Sequence, residues 1–245
     1  YKVRYKYSGR FGLSFASNVS GYKGMSSYSK SYNYKINWNH TKDPKSSPNS
    51  SFAANVNMSS TSYDKENSYN INDQNMTTRQ SGVSYSKSWP GTVPVNFSTS
   101  FNHTQNNSTG VVSMTLPTGS FNVARFYPFK SKKSTKDRWY NDIELQYSAK
   151  FRNDINTYDS LMFKKETWKR MNNGFEQDIP VTIPIRPVSN FTISPSLTYS
   201  GVVYSREITQ RWDPNYYDPV LEEVKPSVVK DTINGIFYGH AFKPS

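Results

Sequence analysis

Three histidines, His40, His103 and His240, are the only imidazoles in the chain, and no cysteine accompanies them. They are far apart in sequence and none belongs to an HxxxH spacing, so no zinc-type site is specified. A His-activated serine has no better support, because in a chain this rich in Ser and Thr a hydroxyl near each His carries no information. Asp213, Asp218, Glu222 and Glu223 have the chemistry to hold a hard cation such as Ca²⁺, yet Asp213-Pro214 and Asp218-Pro219 are first of all turn formers. No catalytic residue, metal ligand or cofactor motif is read, and no glycine-rich phosphate loop occurs. The basic residues do carry a pattern. Lys2, Arg4, Lys6, Lys35, Lys150, Arg152 and Arg186 each fall on the polar side of an alternating segment. Lys130, Lys132, Lys133, Lys136 and Arg138 form a second group in one connection. Cations so placed bind phosphates and acidic sugars, or stay solvated and paired with acids such as Glu144.

The 245 residues include 30 Lys and Arg against 18 Asp and Glu, a net charge of +12 and a pI near 9.6. Anionic partners follow: nucleic acid, acidic lipid head groups or a phosphorylated glycolipid. Only 34% of residues are hydrophobic and mean hydropathy is -0.79, but 16% are aromatic. That aromatic content, with sustained alternation, argues against disorder. No run of about 18 apolar residues provides a transmembrane helix. Asn-x-Ser/Thr triplets such as Asn57-Met58-Ser59 follow from composition and are not read as glycosylation sites.

The elements that must position the basic residues are strands. In Ile143 to Phe151, the residues Ile143, Leu145, Tyr147, Ala149 and Phe151 share one side and Glu144, Gln146, Ser148 and Lys150 the other, since successive strand side chains point to opposite faces. Similar two-faced units begin at Tyr1, Phe11, Tyr32, Phe52, Val83, Val95, Ile179, Phe191 and Asp231. A tight turn is expected at Gly9-Arg10, loops at Ser17 to Lys30, Tyr63 to Asn75, His103 to Ser108 and Arg206 to Lys230, and one short helix within Ser160 to Met171. Val111 to Phe126 shifts its apolar parity around Pro117, and is read as one strand with a bulge. Connections then alternate between a mostly short and a mostly long set, as in outer-membrane barrels.

The strands are roughly ten residues or more, longer than the ~5–6 usual in globular sheets, and their non-apolar face is very wet. The fold class expected is all-β: an antiparallel up-and-down transmembrane β-barrel, incomplete, with about eleven long strands of a larger barrel. Residues 1–245 are expected to be part of a single outer-membrane barrel domain, with no N-terminal periplasmic domain included and the sheet completed by further chain. The polar face would line the lumen, making the seven strand cations a substrate path, and the basic turn would face the periplasm. A porin or receptor barrel, and a soluble basic β-protein binding nucleic acid or polysaccharide, are the alternatives.

Particular words in the sequence narrow this. Arg125-Phe126-Tyr127-Pro128-Phe129-Lys130, Asp137-Arg138-Trp139-Tyr140, Trp89-Pro90-Gly91-Thr92, Arg211-Trp212-Asp213-Pro214 and Tyr238-Gly239-His240-Ala241-Phe242 together resemble the barrel region of LptD, the LPS-assembly outer-membrane protein family, in its Bacteroidetes-type form. The resemblance runs over nearly the whole chain and rests on the order and spacing of these words. It implies a non-enzymatic barrel in the outer membrane of a Gram-negative bacterium that transports and assembles lipopolysaccharide at the cell surface. It further implies a preceding periplasmic jellyroll, a plug lipoprotein of the LptE type, periplasmic LPS-bridge proteins and outer-membrane lipids as partners, and no nucleic acid. Cysteines that form disulfides in some members are absent here, so redox-controlled maturation of that kind is not implied.

Overall fold

The computed structural model describes residues 1–130, 138–162, 164–188, 191–218 and 223–244. Strands dominate it: β1 (Lys2–Val3), β2 (Tyr7–Ser20), β3 (Ser29–Lys42), β4 (Ser50–Ser59), β5 (Thr78–Trp89), β6 (Val95–Asn106), β7 (Val111–Phe126), β8 (Glu144–Tyr158), β9 (Asn172–Thr182), β10 (Ile185–Val188), β11 (Phe191–Ile193), β12 (Ser196–Asp213), β13 (Tyr217–Asp218), β14 (Glu223–Val224) and β15 (Ser227–Pro244). Among the described residues eleven of these form one sheet in chain order, from β1 through β9 to β12 and then β15, with β10–β11 and β13–β14 as separate small hairpins. Every neighbouring pair is antiparallel. The meander is open, with the β1–β2 side and β15 as its edges.

The connections alternate between two ends, as the sequence predicts. One end carries the turns after β1, β3, β5, β7 and β9, and the other those after β2, β4, β6, β8 and β12. Their lengths separate less cleanly than expected, because residues 107–110 on the second end make one of the shortest connections.

Several boundaries differ from the sequence reading. No turn forms at Gly9-Arg10, which lie inside β2; the chain reverses instead at Arg4–Lys6, where Tyr5 has φ 60 and Lys6 N–H donates to Val3 O at 3.0 Å. Gly9 is used for close approach: a Cβ there would lie 2.4 Å from the Tyr1 hydroxyl and 2.5 Å from Asn39 O. Residues 63–75 are not plain loop but carry α1 (Tyr63–Asn67) and α2 (Ile71–Gln74), while α3 (Lys165–Lys169) falls inside the predicted helical stretch. β8 runs on to Tyr158 and β12 to Asp213, so the last long connection shrinks to 214–226. Pro184 and Pro195 lie outside the main strands, in the connection that holds β10 and β11; Pro180 stays in β9 opposite Thr198.

β7 is the single bulged strand expected. Against β8 its register shifts between Thr115 and Thr118, so Met114 and Phe121 both stand in line with the apolar row of β8 despite their opposite parity. Apolar residues are exposed along β2, where Phe11, Leu13 and Phe15 are 60%, 65% and 69% accessible. Toward the other end of the same row the burial reverses. Val112, Met114, Ile155 and Met162 bury together, with Tyr34, Met58, Leu116 and Met171 packed against them. This brings β3 and β4 against β7 and β8, so the sheet bends over β5 and β6 there and encloses Arg79, His103 and Gln105.

Candidate functional site

The polar face gathers into a groove of about 910 Å³. Ser51 on β4 and Val202 on β12 are its outermost lining residues. Registers resolve its wall into two rows. One runs Ser51, Ser86, Ser98, Ser120, Lys150, Glu176 and Val202 across seven strands. The next runs Ala53, Ser84, Ser100, Thr118, Arg152 and Gly174. Hydroxyls pair across strands, Ser51 with Ser86 at 2.7 Å and Ser98 with Ser120 at 3.0 Å. Short hydroxyl side chains leave the groove open and offer both donors and acceptors, which suits sugar hydroxyls. Sequence reading missed these rows because a serine at every second position looks like solvated strand surface until the neighbours are in register.

On the opposite face, Gly119 lets Phe151 lean across it. A Cβ at 119 would meet Phe151 Cζ at 2.5 Å, and the ring continues to Phe97, stacked at 6.4 Å. Tyr147 meets Phe121 at 6.1 Å. Leu145, Tyr147 and Phe151 are half-buried and Ala149 is buried, while Gln146 and Lys150 are exposed, so the two faces of this strand are kept distinct.

Of the strand cations, Lys35, Lys150 and Arg152 stand on the polar face. Lys150 and Arg152 line the groove, and Arg152 Nε donates to Asp154 Oδ2 at 2.8 Å. Lys35 is elsewhere engaged, 2.9 Å from Asp64 Oδ1 and 3.8 Å from Asp73 Oδ2. Lys2, Arg4 and Lys6 belong to the terminal hairpin and Arg186 to β10, so these four sit at the rim formed by one set of turns. Of the basic turn, Lys130 and Arg138 are exposed at the same rim; Lys132, Lys133 and Lys136 lie outside the described residues.

Lys35 leads to a second feature absent from the sequence reading. Segment 61–74 is tied by its acids to the polar face of β2 and β3 and to Arg79, which stands on the side of β5 that carries Val83 and Tyr85. Asp64 takes Lys35 and the buried Arg79 guanidinium, and Glu66 accepts from Asn33 Nδ2 at 2.7 Å and from Asn18. Thr61 reaches Asp159 in the connection after β8. Asp64, Glu66 and Asp73, a few residues from the ends of β4 and β5, gave the sequence signal.

The histidines remain apart, on β3, β6 and β15. His40 Nδ1 faces the Tyr1 hydroxyl at 2.8 Å inside a ring cluster with Tyr7, Trp38 and Phe52. His103 is buried at the end of β6, inside the strand rather than in a loop. His240 is exposed opposite Gly201. Asp213 accepts from Asn215 N at 3.0 Å, the turn geometry expected of Asp-Pro, while Glu222 and the side chains of Asp218 and Glu223 lie outside the described residues. Among the described residues no three ligating side chains gather for a metal.

Neither the curated proteins nor the solved structures hold a match to this chain. A family model does: the one described as LptD protein matches residues 1–245, the whole chain. With the open antiparallel sheet of long two-faced strands it leaves one assignment: the chain belongs to the LptD family, outer-membrane proteins of lipopolysaccharide transport and assembly.

Proposed function

We propose that the groove face is lumenal wall and that the phosphorylated sugars of lipopolysaccharide travel along it. The observation that carries this is the double row of hydroxyls ending on Lys150 and Arg152. A carbohydrate exchanges hydrogen bonds with such a floor at little net cost, and phosphates gain charge-assisted bonds where the cations begin. Lys35, behind Asp64, joins this path when segment 61–74 lifts. The outward rows of Phe, Tyr, Leu and Val then face lipid. The end bearing residues 127–143 is assigned to the periplasm, where Lys130 to Arg138 meets a bridge protein or inner-leaflet head groups. A plug lipoprotein of the LptE type fills the remaining lumen, and the chain performs no catalysis. The resemblance to Bacteroidetes-type members supports the same partners.

Photo-crosslinkers at Lys150 and Arg152, in the full-length protein in cells, are expected to capture lipopolysaccharide well above the level at the outward control Phe15. Equal labelling at all three positions would remove the lumenal path.

A further inference from the structure

The rim formed by the turns after β1, β3, β5 and β7 has a repeated chemistry that the transport path does not use. At each turn a cation lies over an aromatic ring. Arg4 and Lys45 bracket Tyr5 at 4.7 and 5.2 Å, Lys87 covers Trp89 at 4.9 Å, Lys130 covers Tyr127 at 5.4 Å, and Arg138 covers Tyr140 at 5.7 Å. Three of the four rings are exposed, Tyr5 at 50%, Trp89 at 42% and Tyr127 at 40%, and Tyr140 is half-buried. None of the five cations has a carboxylate within ion-pair distance among the described residues, whereas Arg125, in the same region, takes Glu144 at 2.9 Å.

Register adds a second observation. Lys42 stands opposite Tyr7 and Lys87 opposite Phe97, so two lysines occupy the outward apolar rows at the level of this rim. A lysine on a lipid-facing row is tolerated where its stem lies along apolar surface and its ammonium reaches the phosphate layer. Aromatic rings prefer that same layer, and a cation held over a ring face is fixed at that depth. Toward the opposite rim the corresponding pairs are Lys30 over Tyr32 at 4.9 Å and Lys35, already held by Asp64, over Tyr63 at 5.9 Å.

We propose that this rim is a binding surface for the anionic phospholipid head groups of one membrane leaflet, in which ring-held cations take lipid phosphates while the rings rest at the acyl boundary. It rests on the reading that the outward rows face lipid. Its partner is a leaflet, because the cations are spread over four turns in place of converging on one anion.

The test uses the full-length protein purified in detergent with its native partners, and native mass spectrometry in mixed phosphatidylglycerol and phosphatidylcholine. The neutralised set K45Q/K87Q/K130Q/R138Q is expected to lose phosphatidylglycerol enrichment by about tenfold or more, since each surface cation contributes severalfold to anionic-lipid binding. A charge-matched set at the other end, K164Q/K165Q/K169Q/R170Q, is expected to change it less than about twofold, since among the described residues no ring lies under those cations. Equal loss in both sets reduces the effect to net charge and overturns the proposal, as does no loss in the first. Displacement of the lipid by millimolar inorganic phosphate overturns it in favour of a free-anion site. Heat-modifiable migration on gels reports whether each variant is folded. Crosslinking at Lys150 reports on the transport path separately, so failure of either reading is recognised on its own.

Discussion

Replacing Asp64 with Asn strands the most deeply buried cation described in this protein. Arg79 is 2% exposed; in D64N it keeps Asn57 Oδ1 at 3.1 Å and loses its carboxylate, while Lys35 retains only Asp73 at 3.8 Å. Removing one partner of a buried ion pair costs ~3–5 kcal/mol, because the remaining charge stays out of water. Here a cheaper outlet exists. Segment 61–74 is a connection, and its other holds are the hydrogen bonds that Glu66 accepts from Asn18 and Asn33, those that Ser62 donates to Asn33 and Thr61 to Asp159, and the long Asp73–Lys35 contact. Swinging it away rehydrates Arg79 without breaking a strand, so the loss should appear as local opening. At about 1.4 kcal/mol per decade, the lower bound of ~3 kcal/mol corresponds to roughly 100-fold faster amide exchange. Hydrogen–deuterium exchange on the full-length protein should show this in residues 63–75, with β5 and β6 amides altered less than about threefold. Adding R79M removes the stranded charge, and D64N/R79M should return to within about tenfold of the parent. If D64N leaves exchange unchanged, or the double variant equals the sum of the singles, the coupling described here does not exist.

Three further outcomes follow from other parts of the sheet. G119V places a Cβ 2.4 Å from Ser98 O and 2.5 Å from Phe151 Cζ, so urea denaturation should show a loss of ~1–3 kcal/mol from overpacking; G12A, whose nearest foreign atoms are 4.0 Å away, serves as control, and equal stability of the two would contradict the close packing of Phe151. The Tyr127 hydroxyl donates to Glu144 Oε1 at 3.0 Å, and that hydrogen bond, followed by the charge of Glu144, holds its pKa above the usual 10.0. A phenol whose folded pKa is raised contributes stability that is fully present below pH 10 and is lost as pH rises through the folded value; the phenolate difference titration of parent minus Y127F should therefore have its midpoint above 10.0, and a midpoint at or below it would show the contact is not made. Crosslinkers at Lys150 and Arg152 should outlabel Phe15 with lipopolysaccharide, as stated above.

Much of the fold was legible because a strand prints its period on the sequence. Ile143 to Phe151 alternates cleanly and is strand; the Pro117 parity shift is a bulge; Asp43-Pro44 opens a helical turn capped by the Asp43 side chain. Boundaries were less legible for stated reasons. Gly9 served ring packing rather than a turn, and the polar continuation of β12 through Arg206 to Asp213 is held to β15 by a long backbone ladder and by the side chains of Arg206 on Asn234 and Thr209 on Asp231 O, which needs no apolar alternation. The candidate site was half legible. Lys150 and Arg152 could be placed on the wet face by counting in twos, whereas Lys2, Arg4 and Lys6 counted the same way but belong to a reversing hairpin.

Local alternation by itself determined that this chain makes long two-faced strands, because strand side chains have a period of two regardless of what surrounds them. The ordered words spread over the whole chain likewise marked its family. Only tertiary structure decided which serines line up into a floor, because register is a relation between strands and a slip of one residue exchanges the faces. Only it decided that Asp64 sits on Lys35 and Arg79, and that Val112, Met114 and Ile155, lipid-facing by count, are buried where the sheet bends. Those outcomes depend on contacts between residues distant in sequence, and no local pattern encodes them.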